Sequence, residues 1–263
     1  MTLLINGRKE KVHDFREIVR SIIYHHAPCS RSLVTRTNGE EDESINEIVA
    51  DTIERFCEEF VENPYLCYTE HGFHALLFHE LFEGLSKHGV DLYRPFKTEE
   101  MGKEEMVCLL QKEYRGLRKF SRREQEESRE TCAHWDIALF DPSLERRTGS
   151  SILKLPVYDS FKLHSVIELG FNNEPGHLDL DIERLDRERR GIRHMHILNL
   201  CRIGSRKVSV RNWTPKREIN NRPKESQFAR ALARGISTHY ARVQISDDGT
   251  HVTDITHRYA GDA

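Results

Sequence analysis

From residue 65 onward this chain alternates segments that read as helices with segments that read as strands, and few folds accept that order. VCLLQKEY (107–114), HWDIALFD (134–141), FKLHSVIELGF (161–171) and HMHILNLCRI (194–203) have strand length and strand composition, and the third is the most strand-like. Between and around them lie helical patterns: roughly Thr69 to Leu85, LDLDIERLDRERRG after Pro175-Gly176, and SQFARALARGI. YARVQIS and HVTDI supply the C-terminal strands, the charged stretch 115–131 reads as a surface connection, and Leu144 to Tyr158 reads as a loop. Strands and helices in this order predict an α/β core with a central mixed sheet flanked by helices.

Residues 1–64 read as an N-terminal hairpin and helical extension of a core domain spanning 65–263. LLING followed by RKEKV has the form strand–turn–strand, and DFREIVRSIIYHH the form of a helix. CSRSLVTRTNGEEDES is polar and reads as a loop. The next helix starts at Ser44, which has capping-box spacing to Glu47, and ends at Asn63-Pro64. Ile45, Ile48, Val49, Thr52, Ile53, Phe56 and Phe60 form its apolar stripe, and acids fill the other face.

With 37% hydrophobic and 32% charged residues, the chain has the balance of a soluble protein with much solvated helix surface. No run nears the roughly 20 apolar residues that span a bilayer, and MTLLINGRKEK lacks a signal core, so a cytoplasmic protein without membrane contact is expected. The six cysteines are scattered, without a CxxC pair, and are expected to pack as small hydrophobes. Charge is unevenly spread. Residues 40–62 carry ten acids against Arg55, while residues 184–234 carry fifteen Lys or Arg against four acids. One side of the molecule is therefore suited to a polyanion, unless the two sections are ordinary solvated faces paired to each other.

Three acids stand out. Asp136 lies within HWDIALFD, Glu168 within VIELG, and Glu70 opens the helical run EHGFHALLFHEL. Together with the order of elements over roughly 65–245, this pattern resembles the PD-(D/E)XK superfamily of metal-dependent nucleases. Those proteins carry an Asp on the second core strand, a Glu-x-Lys on the third and, in many members, a Glu on the preceding helix. The resemblance implies a restriction-endonuclease-like fold, catalytic roles for Glu70, Asp136 and Glu168, and Mg²⁺ or Mn²⁺ held by Asp136 and Glu168. The chemistry agrees with those residue types. Phosphodiester hydrolysis uses a hard cation on carboxylate oxygens, and strands about 4.8 Å apart allow two acids to share one ion. An acid within an apolar strand is costly unless it is paired or holds a cation, so a structural ion pair is the competing reading. At the first turn of its helix Glu70 is also favoured by the dipole alone. Glu113 competes as a third acid.

Gly170 stands where the family has its lysine. Lys112, His177 and Arg184 are the available substitutes, whereas Lys162 lies about 20 Å along the strand from Glu168. His134 and His164 flank the acids, and His71, His74 and His79 share one helix; each also suits a surface or satisfied core histidine. Neither HExxH, a phosphate-binding glycine loop nor GxSxG occurs. Arg189, Arg190 and Arg193, with Arg206, Lys207 and Arg211, are the candidate nucleic-acid contacts, and Trp213 could stack on a base or simply pack. Three functions fit: a divalent-metal nuclease, a degenerate module on the same fold that binds nucleic acid or a partner protein, or an interaction protein docking through the acidic helix 45–62. Homo-oligomerisation is compatible with each.

Overall fold

The computed structural model describes residues 2–5, 8–11, 38–97, 104–119, 132–141, 163–173, 175–203, 222–246 and 251–261. They belong to two units, residues 1–37 and 38–263. In the first, β1 (Thr2–Ile5) pairs antiparallel with β2 (Arg8–Lys11), Thr2 opposite Lys11, as the sequence of this segment predicts. The helix expected over DFREIVRSIIYHH lies outside the described residues.

The second unit opens with α1 (Asn38–Glu62), and its predicted apolar stripe is buried. The helix begins six residues before Ser44, so Ser44 and Glu47 form no cap at its start, and the expected loop is helical from Asn38. The sequence division puts this helix in the extension, but Phe56 and Phe60 meet Phe73 at 6.3 and 5.4 Å and join it to the second unit's core.

α2 (Glu70–Lys87) starts at Thr69, whose hydroxyl accepts the Gly72 N–H at 3.1 Å. β3 (Tyr93–Lys97) and β4 (Glu104–Cys108) then form a two-stranded sheet. The single strand expected at 107–114 is divided at Leu109. This residue is buried, and its N–H donates to Leu92 O at 2.7 Å.

The central sheet has the order β10-β9-β8-β7-β6-β5. β5 (Leu110–Lys119), β6 (Cys132–Phe140) and β7 (Leu163–Phe171) run antiparallel to one another. β7, β8 (Ile192–Ile203) and β9 (Ile236–Ile245) run parallel, and β10 (His251–Arg258) closes the far edge antiparallel. The sheet is mixed, as expected. β5 extends to Lys119, so 115–119, expected in the charged connection, is strand. Among the described residues it is the edge strand of the sheet, a position where a charged sequence is tolerated.

The parallel crossovers are made by α3 (Pro175–Glu188) and α4 (Glu225–Leu232). Proline at the first helical position costs α3 no hydrogen bond, and Leu178, Ile182 and Leu185 form its buried stripe. β7 and β8 are buried on both faces, with α1 and α2 packed against the face that carries Phe171. No described helix is long and apolar enough to cross a membrane.

Candidate active site at the end of β7

β6 and β7 pair Ile137 with Ile167 and Ala138 with Val166, which puts Asp136 next in register with Glu168. Asp136 Oδ2 accepts the Leu169 N–H at 2.7 Å. Glu70, at the start of α2, reaches the same strand end and accepts the Phe171 N–H through Oε2 at 3.3 Å. The three acids picked out in the sequence therefore meet where β7 emerges toward α3.

Their cation comes from α3. Arg184 donates to Glu168 Oε2 and, at 3.1 Å, to Asp181 Oδ1. Its guanidinium lies 5.7 Å from the centre of the Trp135 ring. Of the three cations considered in the sequence, Lys112, His177 and Arg184, Arg184 is the one that touches Glu168. Lys112 instead lies 3.6 Å from Glu113, and His177 lies 3.8 Å from Asp181, whose hydrogen bond raises the His177 pKa. At Gly170 an added Cβ would come within 2.6 Å of Asn173 Nδ2, so a side-chain amide occupies the space a longer residue there would enter.

The carboxylates are strained electrostatically. Burial pushes Glu168 well above its ordinary range; Arg184 pulls it back, while Asp136 and Asp181 push it up further. Burial raises Asp136 too, opposed by His74, the Leu169 N–H and Arg184, with Glu113 raising it. Glu168 is 3% exposed, and its buried Oε1 meets no donor among the described residues other than the Asp136 carboxyl. Two carboxyls pressed together in a buried setting are a donor set that fits a hard divalent cation.

His74 completes the cluster. Its Nε2 faces Leu169 O at 3.3 Å, Asp136 Oδ2 at 3.6 Å and Glu70 Oε1 at 3.9 Å. All are acceptors, so Nε2 carries the proton. The sequence signal for His74 was its position four residues after Glu70 on one helix face, which the three-histidine pattern obscured. His164 does not reach the acids. It is buried, bonds Ser165 Oγ at 2.7 Å through Nδ1, and lies 4.9 Å from His194, ring to ring.

Of the basic residues, Arg189 and Arg190 are exposed after α3, and Arg193 donates to buried Asp141 at 2.5 Å. Arg206, Lys207, Arg211 and Trp213 lie outside the described residues.

The chain matches no family model and no curated protein. Two solved structures resemble it remotely. NucC of P. aeruginosa ATCC27853, in its cAAA-bound form, is 11% identical with a TM-score of 0.34, over 87% of this chain and 85% of that one. NucC of E. coli MS115-1, also cAAA-bound, is 9% identical with a TM-score of 0.33, over 86% of each chain. Likeness of this degree leaves the chemistry of the site to its own residues.

Proposed function

We propose that this protein is a divalent-metal-dependent nuclease of the PD-(D/E)XK type, with Arg184 in place of the strand lysine. The observation that carries the reading is the meeting of Asp136 and Glu168 at one strand end with Arg184 seated on Glu168. Within the central sheet the succession β5, β6, β7, α3, β8 supports it, because the acids stand on its second and third strands, with Glu70 on α2 ahead of the separate β3–β4 pair. Asp136 and Glu168 would hold Mg²⁺ or Mn²⁺, which when bound polarises a phosphate and lowers the pKa of its water. Glu70 assists from the start of α2. Arg184 provides a fixed positive charge beside the phosphate, and no proton moves through it because a guanidinium stays protonated. The Arg184 guanidinium lies over the Trp135 ring.

The same contact favours a second reading. Arg184 already neutralises Glu168, as a structural ion pair would, and a degenerate module that only binds nucleic acid or a partner protein fits that arrangement. Labelled single- and double-stranded DNA and RNA incubated with the protein in Mg²⁺ or Mn²⁺ separate the two. Metal-dependent cleavage of any of them supports the enzyme; binding without cleavage supports the module. Affinity should fall steeply with salt, and removing Arg189 and Arg190 should lower the slope by about one unit for each phosphate left without its cation. Salt-insensitive binding would point to a protein partner, for which the acidic side of α1 is the proposed face.

A further inference from the structure

His74 has a second ring nitrogen that the carboxylate pair does not use. His74 Nε2 faces Leu169 O, and its Nδ1 is buried and without a hydrogen-bond partner among the described residues. It is aimed at two further Lewis bases. Glu113 Oε1 lies 3.6 Å from it, and His71 Nδ1 lies 3.9 Å from the same carboxylate oxygen. The three donor atoms all fall within 4.8 Å of one another. A nitrogen and a carboxylate oxygen at this distance are held together by a positive charge between them, which a proton or a metal ion can supply.

We propose that His71, His74 and Glu113 bind a divalent transition-metal ion of zinc-like preference, at a site separate from the Asp136–Glu168 pair. Two imidazoles and one carboxylate suit a borderline ion such as Zn²⁺ or Co²⁺ better than Mg²⁺, which prefers oxygen alone. Tetrahedral ligands at about 2.0–2.2 Å lie roughly 3.4 Å apart, so the 3.6 and 3.9 Å spacings are near that value and the imidazole pair, within 4.8 Å, closes by a rotation of the exposed His71 ring. The His74 Nε2–Leu169 O contact is the kind that fixes a ligating imidazole, with the other ring nitrogen given to a carbonyl or carboxylate. Helix α2 brings His71 and His74 together because residues three apart share a face. Glu113 approaches from β5 with φ 53°, an unusual backbone for a glutamate in a strand. His71 and Glu113 are 81% and 47% exposed, so three protein ligands would leave a coordination position open to water or a phosphate oxygen.

This site stands independently of the nuclease reading. Chelator-stripped full-length protein is titrated with Co²⁺, following visible d–d absorption, and with Zn²⁺ in competition with a chromophoric chelator. One equivalent of each should bind. His71→Ala and Glu113→Gln, both at exposed positions and checked for folding by circular dichroism, should each weaken binding at least about tenfold. The Asp136→Asn, Glu168→Gln double variant should bind as wild type does. Absence of binding in wild type, or unchanged binding in both His71→Ala and Glu113→Gln, would overturn the site. So would loss confined to the Asp136–Glu168 variant. Mg²⁺-dependent cleavage would be unaffected by the first two results, so the two proposals fail separately.

Discussion

Two of the histidine clusters among the described residues are built in opposite ways. In the parallel half of the sheet His196 Nε2 faces Asn46 Oδ1 at 3.3 Å, and His196 Nδ1 faces His239 Nε2 at 3.3 Å. His239 Nδ1 in turn faces His257 Nδ1 at 3.0 Å. One set of neutral tautomers satisfies every contact: His257 donates to His239, His239 to His196, and His196 to Asn46. At the end of β7, His74 is equally buried, yet one of its nitrogens is without a hydrogen-bond partner and acids surround it. The first group is finished as folded; the second is left open for a ligand. Burial alone therefore does not mark a functional histidine, whereas an unmet lone pair among carboxylates does.

The comparison is broken most severely by removing Arg184. Arg184→Met leaves Glu168 as a buried, unpaired charge, and stability should fall by about 3 kcal/mol, the low end for a broken buried pair because Arg184 is partly exposed. Adding Glu168→Gln should recover most of that loss. Urea unfolding of the wild type, the single and the double variant measures it, and a single variant as stable as wild type would mean the pair is not needed to hold the acid.

The pH dependence sharpens the contrast, because the two regions respond with opposite sign. Burial pushes His196 down to about 3 and His239 well below its usual value. Below pH about 6.5 the unfolded chain takes up protons that these rings refuse, so stability falls on acidification by about 1.4 kcal/mol per pH unit for each histidine. His239→Gln should flatten that slope by one histidine's share. At the β7 end the acids are raised, so their destabilising effect on the folded state is greatest at neutral pH and is relieved as pH falls toward the ordinary carboxylate range. Asp136→Asn should therefore be more stable than wild type in metal-free buffer at pH 7, with the gap shrinking on acidification. A constant gap would show that Asp136 has no raised pKa.

The smallest effect is expected at Gly170. The atom met by a new Cβ is the end of the Asn173 side chain, which can rotate away, so Gly170→Lys should cost under about 1 kcal/mol. If Arg184 fills the lysine's role, the variant should gain no cleavage activity. A marked gain would mean that Arg184 serves only as a counter-ion.

Much of this was legible in the sequence. The alternation of strand and helix gave the mixed sheet, and the apolar stripes gave the buried faces of α1 and α2, because periodicity is local. Asp136 and Glu168 could be chosen as acids set in apolar strands, and Glu70 only through the family resemblance, since a first-turn acid is common on any helix. Arg184 could only be named as one substitute among three: the sixteen residues from Glu168 cross a turn and two-thirds of a helix, and a reach of that kind depends on how α3 lies against the sheet. The imidazole chain was hidden for the same reason. His196, His239 and His257 sit on three strands, and only their registers bring them together. The break at Leu109 and the strand at 115–119 were missed because a buried bend and a charged edge strand both defeat the simple alternation of apolar and polar residues.

The account rests on the carboxylate pair being a metal-dependent hydrolytic centre, and one paired measurement tests it most directly. Wild type and the Asp136→Asn, Glu168→Gln variant are compared for single-turnover cleavage and for melting temperature, each in Mg²⁺ or Mn²⁺ and in chelator. The account predicts metal-dependent cleavage and a metal-induced rise in melting temperature for the wild type, with both lost in the variant. Equal melting shifts in the two proteins, with no cleavage by either, would contradict it.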